Sequence, residues 1–409
     1  MTNRKKLVTI LGFDYPDNDL DILLGRDSRP QVQTRLFARR LTQMMQETTS
    51  LPVNCISAAP ISPYPVHPQR IVAPSKQREI RTKVARASFR SLPQLNYRIT
   101  KLPSRLITSF LAVILQSFRQ RHGYVVVYSV HVPFMISGLA LAKLTGGRSV
   151  GVWTDPPGML IHRHSSRILR LIRKFEKKLI NILGNRFDLL IVLTPDLAKE
   201  LADGVPYLVV EAITDELPPA KAVYRESQPT VFTYTGGVSK RYGVDKLVEA
   251  LQILPSDSNI ELKIFGTGDY EDELLAVAAN NPTITFAGQV SHKEAVNAQN
   301  SSDFLINARP AGEAYTRFSF PSKTLEYLAS GVPVLSTRLP GIPEEYWRVL
   351  IPIEESTPEE IATAMIRASE LDKNQRSYLG QQGRELAMNK TYAAQAQKVR
   401  KFLEESGED

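Results

Sequence analysis

The 409-residue sequence predicts an α/β protein of two domains, each an open, mainly parallel sheet with helices on both faces. Three observations predict it. Apolar, β-branched runs alternate with helical periodicity twice along the chain; a proline-rich, charged stretch at 211–229 interrupts the alternation; and short glycine clusters follow the strands of the second half. Two domains of about 200 residues each suit this length.

Residues 7–11 are apolar and short enough for a strand, and 31–46 carry apolar residues at helical spacing with a basic polar face. Residues 53–57 form a second strand, followed by a proline-studded loop at 59–74. The β-branched run 124–128 is a strand, 134–144 a helix stopped by Gly146 and Gly147, and 150–153 a strand. A long basic helix at 165–183, a strand at 189–193 and a short helix at 195–202 complete this half. After the interruption come strands at 230–234, 261–265, 283–287, 303–308 and 332–337, with helices at 244–253, 270–279, 293–299, 320–330, 358–370 and 391–405. The implied division is 1–212, 213–390 and a closing helix, 391–409. Ligands of such Rossmann-like sheets bind at the carboxyl ends of the strands. The two domains are therefore expected to face each other across a ligand crevice.

The stretch Phe320-Pro321-Ser322-Lys323-Thr324-Leu325-Glu326, closed by Gly331, has the chemistry of an anion site. Ser319 is placed to cap the helix, Pro321 suits its first turn, and Gly331 suits the left-handed stop. Free amides, the Ser322 hydroxyl, Thr324 and the Lys323 ammonium gather at the positive end of the helix dipole. Glu326 lies one turn further along the same face, where a carboxylate accepts from the two hydroxyls of a ribose. An ordinary amphipathic helix has the same composition, so the neighbouring loops decide. Thr235-Gly236-Gly237 with Lys240 and Arg241, Gly266-Thr267-Gly268, and Gly288-Gln289-Val290 all follow strands of this domain. Each alone reads as a turn; together with the helix they converge on one strand-end site for a nucleoside diphosphate. In the first domain His131 and Asp155 follow strands, and both are expected to face the crevice.

Charge is divided unevenly. Residues 1–220 hold 31 Lys and Arg against 16 Asp and Glu, and the remainder holds 20 against 26. Residues 70–121 carry 12 basic positions and one acidic, interleaved with apolar residues. Basic and apolar together suit an anionic membrane surface; a merely solvated basic face is the plainer alternative. The apolar run 106–118 is too short to span a bilayer. Nucleic acid is not expected, since no helix-turn-helix, zinc or aromatic RNA-binding signature accompanies the charge. The single cysteine, Cys55, excludes an internal disulfide and a thiolate metal cluster, and is expected to be a buried structural thiol in a reducing compartment. No cleavable leader is expected, because the first apolar run is short. Asp14, Asp17, Asp19 and Asp21 fail as a calcium loop: Ile22 stands where glycine is needed and Ser28 where glutamate is. A solvated loop is expected there, and no metal.

The second half resembles the donor domain of glycosyltransferase family 4, of two-domain GT-B architecture. The resemblance rests on Thr235-Gly236-Gly237, Tyr242-Gly243-Val244-Asp245, Phe265-Gly266-Thr267-Gly268, Phe286-Ala287-Gly288-Gln289-Val290 and the 319–334 stretch. It covers about 230–345, with weaker similarity over 120–215, and the serine-lysine helix is similar to a polysaccharide-assembly branch. It implies that Gly236, Gly237, Lys240, Arg241, Gly266, Gly268, Gln289, Val290, Arg309, Ser322, Lys323, Thr324 and Glu326 hold a nucleotide-sugar, Glu326 at the ribose diol. It further implies retention of configuration, with the departing diphosphate helping to take the acceptor proton, and no cofactor.

Two departures stand out. The family often has a glutamate where this chain has Phe318, and cations where it has Gly237 and Tyr242. Lys240, Arg241, Arg309 and Lys323 can supply the charge, and Glu313 the carboxylate if the 311–317 loop folds back. A histidine often stands near Asp155 in the family; here Thr154 or Asp155 takes that register. Asp155, His131 and Lys323 are the expected catalytic residues. The expected function is sugar transfer to a membrane-linked or saccharide acceptor by a cytoplasmic, membrane-peripheral enzyme. The alternatives are a nucleotide-sugar epimerase on the same fold and a catalytically silent scaffold.

Overall fold

The computed structural model describes residues 6–28, 31–49, 51–76, 79–81, 86–118, 121–155, 167–215, 229–313 and 315–406. The chain divides into two units, Met1–Asp215 with Tyr392–Asp409, and Glu216–Thr391. The first boundary falls at Asp215 instead of 212. Residues 213–215 belong to unit 1, where Arg40 holds both the Ile213 carbonyl (3.1 Å) and the Asp215 carboxylate (2.8 Å). Most of the expected hinge, 216–228, lies outside the described residues.

Unit 1 runs β1 (Lys6–Gly12), α1 (Asp17–Leu24), α2 (Val32–Thr49), β2 (Val53–Ser57), β3 (Ile71–Val72), β4 (Glu79–Arg81), β5 (Arg86–Ser91), β6 (Gln94–Leu95), α3 (Lys101–Ser117), β7 (Arg121–Tyr128), α4 (Val132–Thr145), β8 (Arg148–Trp153), α5 (Arg167–Gly184), β9 (Leu189–Val192), α6 (Pro195–Leu201) and β10 (Tyr207–Val209). Eight strands form one sheet in the order β10-β9-β8-β7-β1-β2-β5-β4, parallel except for the β4–β5 pair. The central strands are buried on both faces, which is why Val125-Val126-Val127 and Leu189-Leu190-Ile191-Val192 read as unbroken apolar runs. From β1 the chain turns to β2 on one side and later to β7 on the other, so the sheet reverses direction between β1 and β7.

One expectation is corrected here, and one segment is extended. The aspartate-rich segment is not a solvated loop: residues 17–24 form α1, because Leu20, Leu23 and Leu24 bury one face against Tyr15, Ala59, Ile61 and Val72. Its carboxylates are engaged, Asp14 with Arg39 at 2.8 Å and Asp21 with Arg35. No group of three or more ligating side chains suited to a metal occurs among the described residues. The apolar run 106–118 is the later part of a longer helix, α3, whose amphipathicity is inverted. Its buried face is Lys101, Arg105, Ser109, Ala112, Val113 and Gln116, while Leu102, Ile107, Phe110, Leu111, Leu115 and the following Phe118 are exposed.

Unit 2 runs β11 (Thr230–Thr235), a 3₁₀ turn Lys240–Tyr242, α7 (Val244–Ile253), β12 (Ile260–Phe265), α8 (Glu271–Ala278), β13 (Ile284–Phe286), α9 (His292–Asn300), β14 (Phe304–Asn307), α10 (Ser322–Ser330), β15 (Val334–Thr337), β16 (Leu350–Ile353), α11 (Pro358–Ser369) and α12 (Lys373–Met388). Its six strands are parallel throughout, in the order β13-β12-β11-β14-β15-β16, and reverse direction between β11 and β14. The last helix, α13 (Tyr392–Glu405), returns to unit 1. It packs along α2, where Arg400 Nε donates to the Thr48 carbonyl at 2.8 Å and Thr48 Oγ1 to that of Ala396 at 3.3 Å. No helix among the described residues is long and apolar enough to cross a membrane.

Candidate functional site

In unit 2 the loops after the strands are tied to one another. The Gly236 N–H donates to the Phe265 carbonyl (2.9 Å), and the Gly266 N–H to the Gly288 carbonyl (2.8 Å). Gly266 has φ 137°, and a β-carbon there would stand 1.8 Å from the Gly236 oxygen; one at Gly268 would stand 1.9 Å from that of Val238. These glycines are therefore required by neighbouring loops, a different reason from the ligand approach expected of them. A β-carbon at Gly237 would stand 2.8 Å from the Tyr242 ring. Gln289, exposed, and Val290 follow in the β13 loop, joined to the others through Gly288.

The site helix begins at Ser322, with Pro321 as its N-cap and no side-chain cap. Ser319 does not cap it; its hydroxyl donates to the Tyr315 carbonyl at 3.3 Å. Ser322 is exposed at the first turn, where helix amides lack intrahelical acceptors. Thr324 is buried and accepts from Asn307 Nδ2 (3.2 Å), so it ties α10 to β14. Glu326 accepts from Lys323 Nζ (2.8 and 3.0 Å) and from Gln299 Nε2 (2.8 Å). Lys323 is thus paired within the helix. Burial alone would raise the Glu326 carboxyl, but Lys323 and the Gln299 amide outweigh it and hold it below the usual carboxylate range. Tyr327 anchors the helix to β11: its hydroxyl accepts from the Thr235 N–H (2.8 Å) and donates to the Thr235 carbonyl (3.0 Å).

The remaining cations differ in their partners. Lys240 pairs with Glu273 at the surface, 2.8 Å away. Arg241 and Arg309, at the ends of β11 and β14 where the sheet reverses, have aromatic neighbours instead. The Arg241 guanidinium lies 4.3 Å from the Tyr315 ring centre; that of Arg309 lies 5.1 Å from Tyr242 and 5.7 Å from Tyr315. Neither guanidinium has a hydrogen-bond or ion-pair partner among the described residues, and Arg309 Nε is buried without one. Cations over aromatic faces, left without carboxylates, are prepared for an anion.

Phe318 is buried under Arg317, 4.4 Å from its ring centre, so this position offers no polar group. Glu313 is exposed, its carbonyl accepting from the Thr316 N–H.

In unit 1, His131 caps α4 after β7, and Asp155 follows the adjacent β8. The His131 ring lies 5.4 Å from Phe13, at the end of β1, and 4.7 Å from Phe134. Burial first, then Arg105 and Lys101, hold its pKa well below the ordinary histidine value, so the imidazole is neutral. The Asp155 side chain is exposed, yet the protein packed around it raises its carboxyl.

Sequence reasoning missed Gln299, Tyr327, Tyr242 and Tyr315 as partners of the site residues, and Lys101 and Arg105 beside His131. Only Tyr242, beside the glycine loop, and Tyr315, six residues after Arg309, gave a local signal; the others act across 26–92 residues of sequence, as in the Gln299–Thr235 and Tyr327–Thr235 bonds.

Residues 229–370, most of unit 2, match the family of glycosyl transferases group 1. No curated protein matches the chain by sequence. Among solved structures, it is similar to sucrose-phosphate synthase from Thermosynechococcus elongatus: 15% identity, TM-score 0.67, covering 98% of this chain and 99% of that one. It is likewise similar to HepE of Anabaena, crystallised with UDP: 12% identity, TM-score 0.61, covering 98% and 100%. A third similarity is to the lipopolysaccharide outer core galactosyltransferase WaaB: 10% identity, TM-score 0.62, covering 98% and 99%. At such identities the likeness shows the fold, two Rossmann-like units of GT-B type.

Proposed function

We propose, for a chain whose second unit is a group 1 glycosyl transferase domain, that unit 2 holds a nucleotide-sugar and unit 1 receives a membrane-linked acceptor, a lipid or polysaccharide precursor, at the cytoplasmic leaflet. The observation that carries the donor half is the pair of partnerless guanidiniums, Arg241 and Arg309, at the β11/β14 reversal beside α10. A diphosphate there would receive them and the first amides of α10, and Glu326 would accept from the ribose hydroxyls in place of Lys323. HepE, of the same fold, was crystallised with UDP, which supports a nucleoside diphosphate as ligand.

Inverted amphipathicity of α3 supports the membrane half. An exposed apolar stripe on a strongly basic unit is the combination by which a helix lies on an anionic bilayer. In the reaction the bond from the sugar C1 to the diphosphate breaks, the acceptor oxygen bonds to C1 on the same face, and its proton passes to the leaving diphosphate. The work of the protein is to stabilise the charge developing on that diphosphate. Buried Phe318, where related enzymes often carry a glutamate, is the observation that favours the second reading, a silent scaffold.

A thermal-shift panel of UDP-, GDP- and ADP-sugars tests the donor. At 100 times the Kd, stabilisation of about 2.7 kcal/mol is expected for the true donor. Incubating that donor, labelled in its sugar, with membrane extract is expected to move label into the lipid phase. Binding without transfer would favour the scaffold, and label returned as an epimerised nucleotide-sugar would favour the epimerase.

A further inference from the structure

The reversal point of unit 1 carries a second cationic cluster, which the donor chemistry does not use. Lys101 and Arg105, one turn apart on the inner face of α3, are 8% and 5% exposed. Their partners are all neutral. Lys101 Nζ donates to the Ile61 carbonyl; Arg105 donates from Nε to Gln94 Oε1 (2.6 Å) and from an Nη to the Ala59 carbonyl (2.8 Å). Neither forms an ion pair among the described residues. Asp27, the acidic group whose field reaches Lys101, accepts from the Ser62 N–H.

Arg105 also lies 5.3 Å from the Phe13 ring centre, and the Phe13 ring meets that of His131 at a tilt of 58°, with 5.4 Å between centres; His131 Nε2 is buried with no hydrogen-bond partner. Lys101 is the first residue of α3, at the positive end of its dipole, with no acidic residue in that turn. Burial, a neighbouring cation and the helix dipole all oppose these charges. An apolar or neutral side chain could fill the same volume at lower cost. Burial and Arg105 bring the Lys101 ammonium down to about 7, whereas a guanidinium stays charged.

We propose that Lys101, Arg105 and the His131 imidazole, at the carboxyl ends of β1 and β7, bind an oxyanion, a phosphate or carboxylate carried by the acceptor. This rests on the glycosyltransferase reading only in calling the ligand an acceptor. The oxyanion would supply the missing countercharge, and His131 Nε2–H would find an acceptor.

The test is thermal unfolding of the full chain in sodium phosphate, sodium acetate and sodium chloride at equal ionic strength, with phosphate titrations of variants. Wild type is expected to unfold higher in phosphate than in chloride. A component of that shift should be lost in Lys101→Met and in Arg105→Met, each binding phosphate at least about tenfold more weakly, and kept in Arg309→Ala. A matching shift in acetate would identify a carboxylate ligand, and a shift in phosphate alone a phosphorylated one. No excess stability of wild type in either anion overturns the proposal even if the variants fail to fold, and so does an undiminished phosphate shift in both Met variants. UDP binding is read separately: its absence from wild type would fail the donor reading and leave the oxyanion result standing.

Discussion

At the reversal point of unit 2 two guanidiniums rest on tyrosine rings and are half-buried; at that of unit 1 an ammonium and a guanidinium are buried and held by backbone carbonyls, the guanidinium against Phe13. The same topology thus prepares positive charge in two ways. Unit 2 keeps it near water, where it costs little and can close on a ligand. Unit 1 keeps it in the protein, where its cost is carried by the fold until an anion arrives. A partly exposed site binds and releases readily; a buried one discriminates.

The largest effect expected from this difference is a pH dependence confined to unit 1. Folding lowers the Lys101 pKa to about 7 from an unfolded value near 10.5, so the unfolded chain binds more protons between these limits. Stability from this group therefore rises with pH through that window and is at its lowest below it. The shift is worth on the order of 5 kcal/mol, by about 1.4 kcal/mol per pK unit. Denaturant unfolding of wild type and Lys101→Met from pH 7 to pH 10 should show wild type gaining relative to the variant; a constant difference would place Lys101 in water.

Next comes Glu326→Ala, expected to weaken nucleotide binding by about 2–4 kcal/mol through loss of two charge-assisted hydrogen bonds. Calorimetry with nucleoside diphosphate against free diphosphate sharpens the assignment, since diphosphate affinity should hold or rise once Lys323 is released. A smaller effect is expected from Gly380→Val. A β-carbon at Gly380 would stand 1.9 Å from the Gly331 oxygen, so α12 must move off α10 at a cost of about 1–3 kcal/mol. Hydrogen exchange should quicken in α10 and stay unchanged in α3. The smallest is at the surface: Ile107→Asp with Leu111→Asp should reduce sedimentation with phosphatidylglycerol vesicles about tenfold and leave nucleotide binding intact. Unchanged sedimentation would move the membrane contact elsewhere in unit 1.

Much of this was legible in the sequence, for identifiable reasons. The central strands were plain because parallel sheets are buried on both faces, and α10 because its glycine stop and strand neighbour are local. Helix α12 escaped because its buried contacts are Gly380, Gly383 and Ala387, small residues chosen for close approach to α10, which leave no apolar periodicity. Helix α1 was hidden by its aspartates, of which Asp21 is met by Arg35 on α2. Lys101 and Arg105 looked like part of a basic surface, since charge in a sequence carries no sign of burial. The pairing of Lys323 with Glu326 has the spacing of an i,i+3 contact, but a lysine at a helix start suits an anion equally well, so spacing alone does not choose between them.

The division of labour between the two reversal points is tested most directly by calorimetric titration of the nucleoside diphosphate selected by the donor panel into full-length wild type and two variants. Arg241→Ala/Arg309→Ala should lose at least about tenfold in affinity, while Lys101→Met and wild type bind alike. Loss of affinity in Lys101→Met with none in the arginine variant would contradict the account.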